Sequence, residues 1–157
     1  MGKVIGVDEA LEMRENARGM GNKVVFTNGV FDLLHVGHLD YLTKSNKMAD
    51  LLIVGLNSDS SSRLLKGEGR PLNSETDRAE LLTGLKCVDL VVIFPEETPL
   101  ELIKILKPDL LVKGSDYSID EIVGRESVES YGGKVLSIEL KAGYSTSSLI
   151  EKILSSN

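Results

Sequence analysis

Cysteine occurs once in this chain, at Cys87, so neither an internal disulfide framework nor a cysteine-based zinc site can form. Tryptophan is absent, aromatics make up 4%, and histidine occurs twice, at His35 and His38. No apolar run approaches the roughly 20 residues of a membrane span. The segment Met1–Glu12 is too acidic and too poor in apolar residues for a signal peptide. Positive charge is also short: 18 Lys+Arg stand against 24 Asp+Glu, a formal net charge of −6. That balance argues against a nucleic-acid coat or an anionic membrane surface as partner, since both select net positive charge. What remains is ordinary globular material: 157 residues, 41% hydrophobic and 27% charged. The expectation is one cytoplasmic domain over 1–157, with 1–22 as an N-terminal helix and lead-in.

Five short apolar runs stand out: Val24–Phe26, Leu51–Leu56, Leu90–Phe94, Leu110–Val112 and Val135–Ile138. They are rich in Val, Ile and Leu and lack strict alternation, as strands buried on both faces do. Helical start signals lie between them. Thr98-Pro99-Leu100-Glu101 combines a Thr cap, Pro at the first helical position and Glu three residues after the cap. Ser74–Asp77 and Ser118–Glu121 share the Ser-x-x-acid pattern, and Asp8 is placed to cap a first helix toward Arg18. Gly19–Gly21 stops that first helix, Gly132-Gly133 stops the one starting near Ile119, and a last helix runs from Thr146 to Leu154. Alternating β and α units of this kind predict an α/β fold: a Rossmann-like three-layer sandwich with a mainly parallel, five-stranded sheet. Ligands in such folds bind beyond the carboxyl ends of the strands. The segment from Lys66 to Asn73, with two glycines, a proline and two bases, is expected to be a mobile cationic loop there.

Both histidines fall in Thr27-Asn28-Gly29-Val30-Phe31-Asp32-Leu33-Leu34-His35-Val36-Gly37-His38, between the first of these strands and the helix that follows. Three residues apart on a helical turn, they project from one face. Gly29 and Gly37 leave room for phosphate against backbone, and the helix starting near Gly37 offers free N–H groups and the positive end of its dipole. Two imidazole donors beside helix-terminal amides suit nucleotidyl transfer, where extra negative charge gathers on the oxygens of an α-phosphorus. The competing readings are surface polarity or a partial metal site. A zinc site lacks a cysteine or third histidine, although a carboxylate such as Asp32 could contribute a ligand, so no dedicated metal site is assigned.

The run Gly29-Val30-Phe31-Asp32-Leu33-Leu34-His35-Val36-Gly37-His38 resembles the G-x-F-D-x-x-H-x-G-H signature of cytidylyltransferase-type nucleotidyltransferases, whose fold is related to that of class I aminoacyl-tRNA synthetases. The resemblance implies that His35 and His38 contact nucleotide phosphates and stabilise the transition state, with Asn28, Gly29, Val30, Phe31, Asp32 and Gly37 around the nucleotide. Asn57-Ser58-Asp59, Lys66-Gly67, Arg70-Pro71, Arg78, Lys113-Gly114-Ser115-Asp116-Tyr117 and Tyr144-Ser145-Thr146 follow in order. Together they are most similar to the adenylyltransferase domains of bifunctional heptose kinase/adenylyltransferases, with Ser115 and Ser147 as departures from the expected Lys-Gly-Gly-Asp-Tyr and Ser-Thr-Thr. Implied with that resemblance are transfer of AMP from ATP to a sugar 1-phosphate, D-glycero-D-manno-heptose 1-phosphate, Mg²⁺ carried mainly by the nucleotide phosphates, a homodimer, and a separate sugar kinase upstream. The alternatives are a CTP-dependent cytidylyltransferase acting on glycerol 3-phosphate or a related alcohol phosphate, and a nucleotide-binding domain without turnover.

Other residues carry an ordinary reading beside the functional one. Lys66 and Arg70 could be solvated charge; the resemblance puts Lys66 on phosphate and Arg70 and Asp59 on substrate. Arg78 sits in the first turn of a helix, a poor place for a cation unless an anion is near, and the resemblance implies that it binds the nucleotide. Lys113, Gly114 and Asp116 could be turn punctuation, and Ser145-Thr146 a simple helix cap. Their placement at strand and helix ends agrees with the resemblance, which implies nucleotide contact for them and for Tyr144.

Overall fold

The computed structural model describes residues 1–156. In chain order the elements are β1 (Lys3–Val4), α1 (Val7–Gly19), β2 (Val24–Gly29), α2 (Val36–Asn46), β3 (Leu51–Asn57), α3 (Asp59–Lys66), α4 (Glu75–Thr83), β4 (Leu90–Phe94), α5 (Leu100–Leu106), β5 (Leu110–Gly114), a 3₁₀ turn (Ile119–Glu121), α6 (Arg125–Ser130), β6 (Lys134–Ile138) and α7 (Thr146–Ser155). The strands form one sheet in the order β1-β4-β3-β2-β5-β6. Every pairing is parallel.

Alternate residues of each central strand enter opposite cores. Val24 and Phe26 join Ile53, Leu90, Val92 and Phe94 under α1, α5 and α6. Val25 joins Leu52, Val54, Leu56 and Val91 under α2 and α4. Helices on both faces are why these strands read as unbroken apolar runs. Packing at the centre is tight enough to exclude a single methyl: a Cβ on Gly55 would lie 2.7 Å from the Phe26 ring.

The structure corrects the expected architecture at several points. The sheet has six strands, not five, and is wholly rather than mainly parallel; β1 is two exposed residues bonded along β4, too short to leave an apolar pattern. Asp8 stands in the first turn of α1, whose cap is Gly6, and Pro99 rather than Thr98 occupies the cap of α5. The helix expected from Ile119 to Gly132 is a 3₁₀ turn and a separate α6, broken where Gly124 turns at φ +90°. The sequence pattern does not bring out α3, a serine-rich helix held at its start by Ser58, whose Oγ accepts from the Ser61 amide at 3.2 Å. Ser74 caps α4 as expected, accepting from the Asp77 amide at 3.2 Å. No helix among the described residues is long and apolar enough to cross a membrane.

The sheet is laid down in two directions from β2. One path runs outward through β3, β4 and β1; β5 and β6 lie on the other side. The crevice of such a sheet opens where the direction changes, beyond the carboxyl ends of β2 and β5. Asn28-Gly29 and Lys113-Gly114 end those two strands.

Candidate active site

After Gly29 the backbone turns sharply, with Phe31 in the left-handed region at φ +49°. That turn brings the Phe31 ring edge-on to His38, centroids 5.3 Å apart, and directs the Asp32 carboxylate into the protein, where it is 6% exposed. His35 then caps α2: its Nδ1 accepts the Gly37 amide at 3.1 Å. An Nδ1 that accepts leaves the proton of the neutral ring on Nε2, fixing the tautomer. One turn on, the His38 ring stacks against His35, with centroids 3.9 Å apart and planes 24° apart. The two glycines serve this packing as much as any ligand. A Cβ on Gly37 would come within 2.9 Å of the His35 ring and 3.0 Å of Tyr144 Cβ; one on Gly29 would meet the Phe31 ring at 2.9 Å.

Burial, together with the neighbouring His35, pushes the His38 imidazole down to about 4, and burial lowers His35 as well. Both rings therefore face the cleft as neutral imidazoles near pH 7. His38 Nδ1 and Asn28 Oδ1 are buried without a partner. Across the crevice, Lys113 donates to the Asn28 carbonyl at 3.1 Å. Burial lowers its ammonium to about 8, an effect that Asp116 opposes and Lys66 reinforces.

These residues line a cleft of about 620 Å³ between the N-termini of α2 and α7. The structure brings together there Asn28, Gly29, Val30, Phe31 and Asp32 from the β2 end, His35, Gly37 and His38 from α2, and Lys66 and Arg70 from the connecting segment. Lys113, Gly114 and Asp116 follow β5, and Tyr144, Ser145 and Thr146 enter with α7. The Ser145 Oγ caps α7 by accepting the Ser148 amide at 3.0 Å, so the cap and the cleft position coincide in one residue.

Two of the expected site residues stand behind the wall instead. Arg78 has no exposed surface; its guanidinium donates to the carbonyls of Val30 (2.7 Å), Asn57 (2.9 Å) and Asn73 (3.0 Å) and to Asp59 Oδ1 (2.8 Å). The anion that a first-turn arginine needs is therefore the Asp59 carboxylate, and neither residue lines the cleft. The segment expected to be loose is tied at its far end: Asp32 accepts from Arg70 at 2.8 Å and from the Leu72 and Asn73 amides. Sequence reasoning missed Tyr41, whose hydroxyl bonds Thr27 and donates to the Val112 carbonyl at 3.0 Å, joining β2 to β5 beneath the cleft. Its spacing of three residues from His38 on α2 was the available signal.

Among the described residues no three His, Cys, Asp or Glu side chains group as a metal cage. Asp32, three residues before His35, has both oxygens occupied by the bonds above.

A parallel sheet whose switch-point cleft holds two neutral imidazoles, two helix N-termini and three lysines, Lys66, Lys113 and Lys141, defines a nucleotide-binding α/β protein built around phosphate chemistry. The family model described as Cytidylyltransferase-like matches residues 26–152, and the chain belongs to that family of nucleotidyltransferases. It is 60% identical over 143 residues to the Bifunctional protein HldE of Citrifermentans bemidjiense, and 54% identical over 154 residues to that of Syntrophotalea carbinolica. Those matches cover 91% and 94% of this chain but only 29% and 31% of the relatives, so the chain spans less than a third of their length. Among solved structures, the lipopolysaccharide core biosynthesis protein of Thermoplasma volcanium superposes with a TM-score of 0.64 at 31% identity, covering 77% of this chain and 98% of its own. A pantoate-beta-alanine ligase of Francisella tularensis shares the fold, with a TM-score of 0.65 at 17% identity over 90% of this chain and 68% of its own.

Proposed function

We propose that this chain transfers AMP from ATP to a sugar 1-phosphate, D-glycero-D-manno-heptose 1-phosphate, giving ADP-heptose and pyrophosphate. A phosphate oxygen of the sugar 1-phosphate attacks the α-phosphorus in line. The bond from that phosphorus to the bridging oxygen of the β-phosphate breaks, and pyrophosphate leaves with its electron pair. The observation that carries the reading is the stacked pair His35–His38 at the N-terminus of α2, facing the serine-bearing N-terminus of α7 across one cleft. Neutral N–H donors and helix amides, already fixed in place, stabilise charge that develops on the transferring phosphoryl without covalent catalysis. Lys66 supplies a point charge from a flexible stem on the same cleft. Mg²⁺ bound mainly through the nucleotide phosphates is part of the same proposal, since magnesium is commonly held by substrate phosphates rather than by an all-protein cage.

Similarity to the HldE proteins supports the heptose substrate, and a homodimer and a preceding sugar kinase reaction are part of the same proposal, implied by the sequence resemblance alone. The test is pyrophosphate release from four nucleoside triphosphates set against heptose 1-phosphate, other sugar 1-phosphates and glycerol 3-phosphate. ATP with heptose 1-phosphate is expected to be the fastest pair. CTP with glycerol 3-phosphate in first place overturns the substrate, and ATP binding without any turnover overturns the activity. With His38→Ala the rate is expected to fall at least about a hundredfold, the usual cost of losing one preorganised donor.

A further inference from the structure

Lys66 reaches the cleft from the last residue of α3, and two buried groups fasten the chain on either side of it. At one end, Arg78 grips the first residue of α3 through Asp59 Oδ1 and the strand before it through the Asn57 carbonyl. At the other end, the chain after Lys66 passes Gly67 and Gly69, both at positive φ, and is then fastened to Asp32. Arg70 meets that carboxylate at 2.8 Å, as does the Leu72 amide, and the Asn73 amide follows at 3.0 Å. The Asn73 side-chain amide donates to the Asp32 carbonyl at 2.7 Å, and Arg78 takes the Asn73 carbonyl. Arg78 also holds the Val30 carbonyl, two residues before Asp32, so both ends are referred to the backbone that carries the histidines.

Asp32 accepts from three donors and is almost wholly buried; it has no oxygen to spare for a nucleotide. We propose that Asp32 and Arg78 are positioning residues: one clip that sets Lys66 in register with His35 and His38, without contact to substrate. This deepens the proposed transfer reaction and rests on Lys66 acting there on phosphate. A clip of this kind acts on rate more than on nucleotide affinity, because the histidines and α7 still hold the triphosphate while one charge is misplaced.

The experiment uses the whole chain with Asp32→Asn, Lys66→Ala, the double variant and Arg70→Gln. Arg70→Gln removes only the ion pair and keeps the proposal testable if Asp32→Asn folds poorly. Asp32→Asn is expected to lower kcat about tenfold or more while the KM for ATP stays within about twofold, as for a misplacement of about an ångström. The double variant is expected to be no more than about twofold slower than Lys66→Ala, since a residue acting through Lys66 has nothing left to position. Trypsin cleavage after Lys66, followed without nucleotide, is expected to quicken at least about fivefold in Asp32→Asn and Arg70→Gln, because a freed segment opens locally. Arg70 itself precedes Pro71 and resists trypsin. Additive losses in the double variant, or a raised KM for ATP with unchanged proteolysis, overturn the clip and make Asp32 a direct ligand. If the wild type releases no pyrophosphate, the transfer reading fails while the proteolysis arm still decides whether the clip exists.

Discussion

With its ring stacked on His35 and its Nδ1 shut away from water, His38 stands at the cleft as a neutral imidazole and not as a cation. In a ¹H–¹⁵N titration of the free chain the His38 ring is expected to protonate with a midpoint of about 4. Adding ATP is expected to raise that midpoint, because a nearby anion favours the imidazolium. A midpoint at the ordinary histidine value near 6.5 contradicts the buried stack. Lys113 sets the other limit. Its ammonium, lowered to about 8 by burial, is increasingly neutral above that pH, and kcat/KM for ATP is expected to decline there. Lys113→Arg keeps its charge through that range, so the decline is expected to move to higher pH or vanish. An unchanged alkaline limb in Lys113→Arg places the titrating group elsewhere. At this scale the sequence was informative about His35, His38, Lys113 and Ser145, because each owes its place to local features: a strand end or a helix start. Arg78 shows where local reading stops. Its position in the first turn of α4 called for an anion, and the anion is Asp59, nineteen residues earlier and brought near only where the starts of α3 and α4 meet in the fold.

Between residues and the whole stand α2 and α7, whose N-termini face one another over the cleft. They are held very differently. α2 buries Tyr41 and Leu42 against the sheet, whereas no residue of α7 is buried. Amide exchange along Thr146–Ser155 is therefore expected to be fast in the free chain and to slow on adding ATP with the acceptor, while β2 amides are protected throughout. Equal protection of the two helices without ligand contradicts this difference. Gly37→Ala tests the junction between them. A Cβ 2.9 Å from the His35 ring forces the stacked rings or Tyr144 to move, so turnover is expected to fall about tenfold or more, by the displacement argument, with little change in melting temperature. Retained turnover shows that the stack tolerates the shift. The strands β2 to β5 were readable because both faces are covered, which turns each into an apolar run; β6, an edge strand with only Ile138 buried, was readable from Val135, Leu136 and Ile138 alone. β1 and α3 were not, one being two residues long and the other bearing three consecutive serines, of which Ser61 and Ser62 are buried where an apolar residue is expected.

For the molecule as a whole, the depressed histidines become a statement about acid stability. His38 binds its proton at about 4 when folded and near 6.5 when unfolded, so between those values the unfolded chain holds more protons. The stabilisation is fully present above pH 6.5 and is lost as pH falls toward 4, and His35, shifted the same way, adds to it. Asp32 extends the loss at still lower pH. Burial pushes its carboxylate up, but the Asn73 and Leu72 amides and Arg70 outweigh that and hold it below 3.8. Denaturant unfolding at a series of pH values from 7 to 4 is expected to show steadily falling stability, with a shallower slope in His38→Gln. A slope of the opposite sign, or one unaltered by that substitution, removes His38 from the account.

The two walls of the cleft also differ in when they come into being. One begins at Val36, the other at Thr146, and every strand of the sheet lies before residue 139. A polypeptide emerging from the ribosome thus has the material for its entire hydrophobic core before it possesses the serines of the second wall, and that core gains no buried side chain from the helix they begin. The second wall is thus added to a sheet and core specified entirely by residues before it, so the cleft is completed later in synthesis than the framework that carries it.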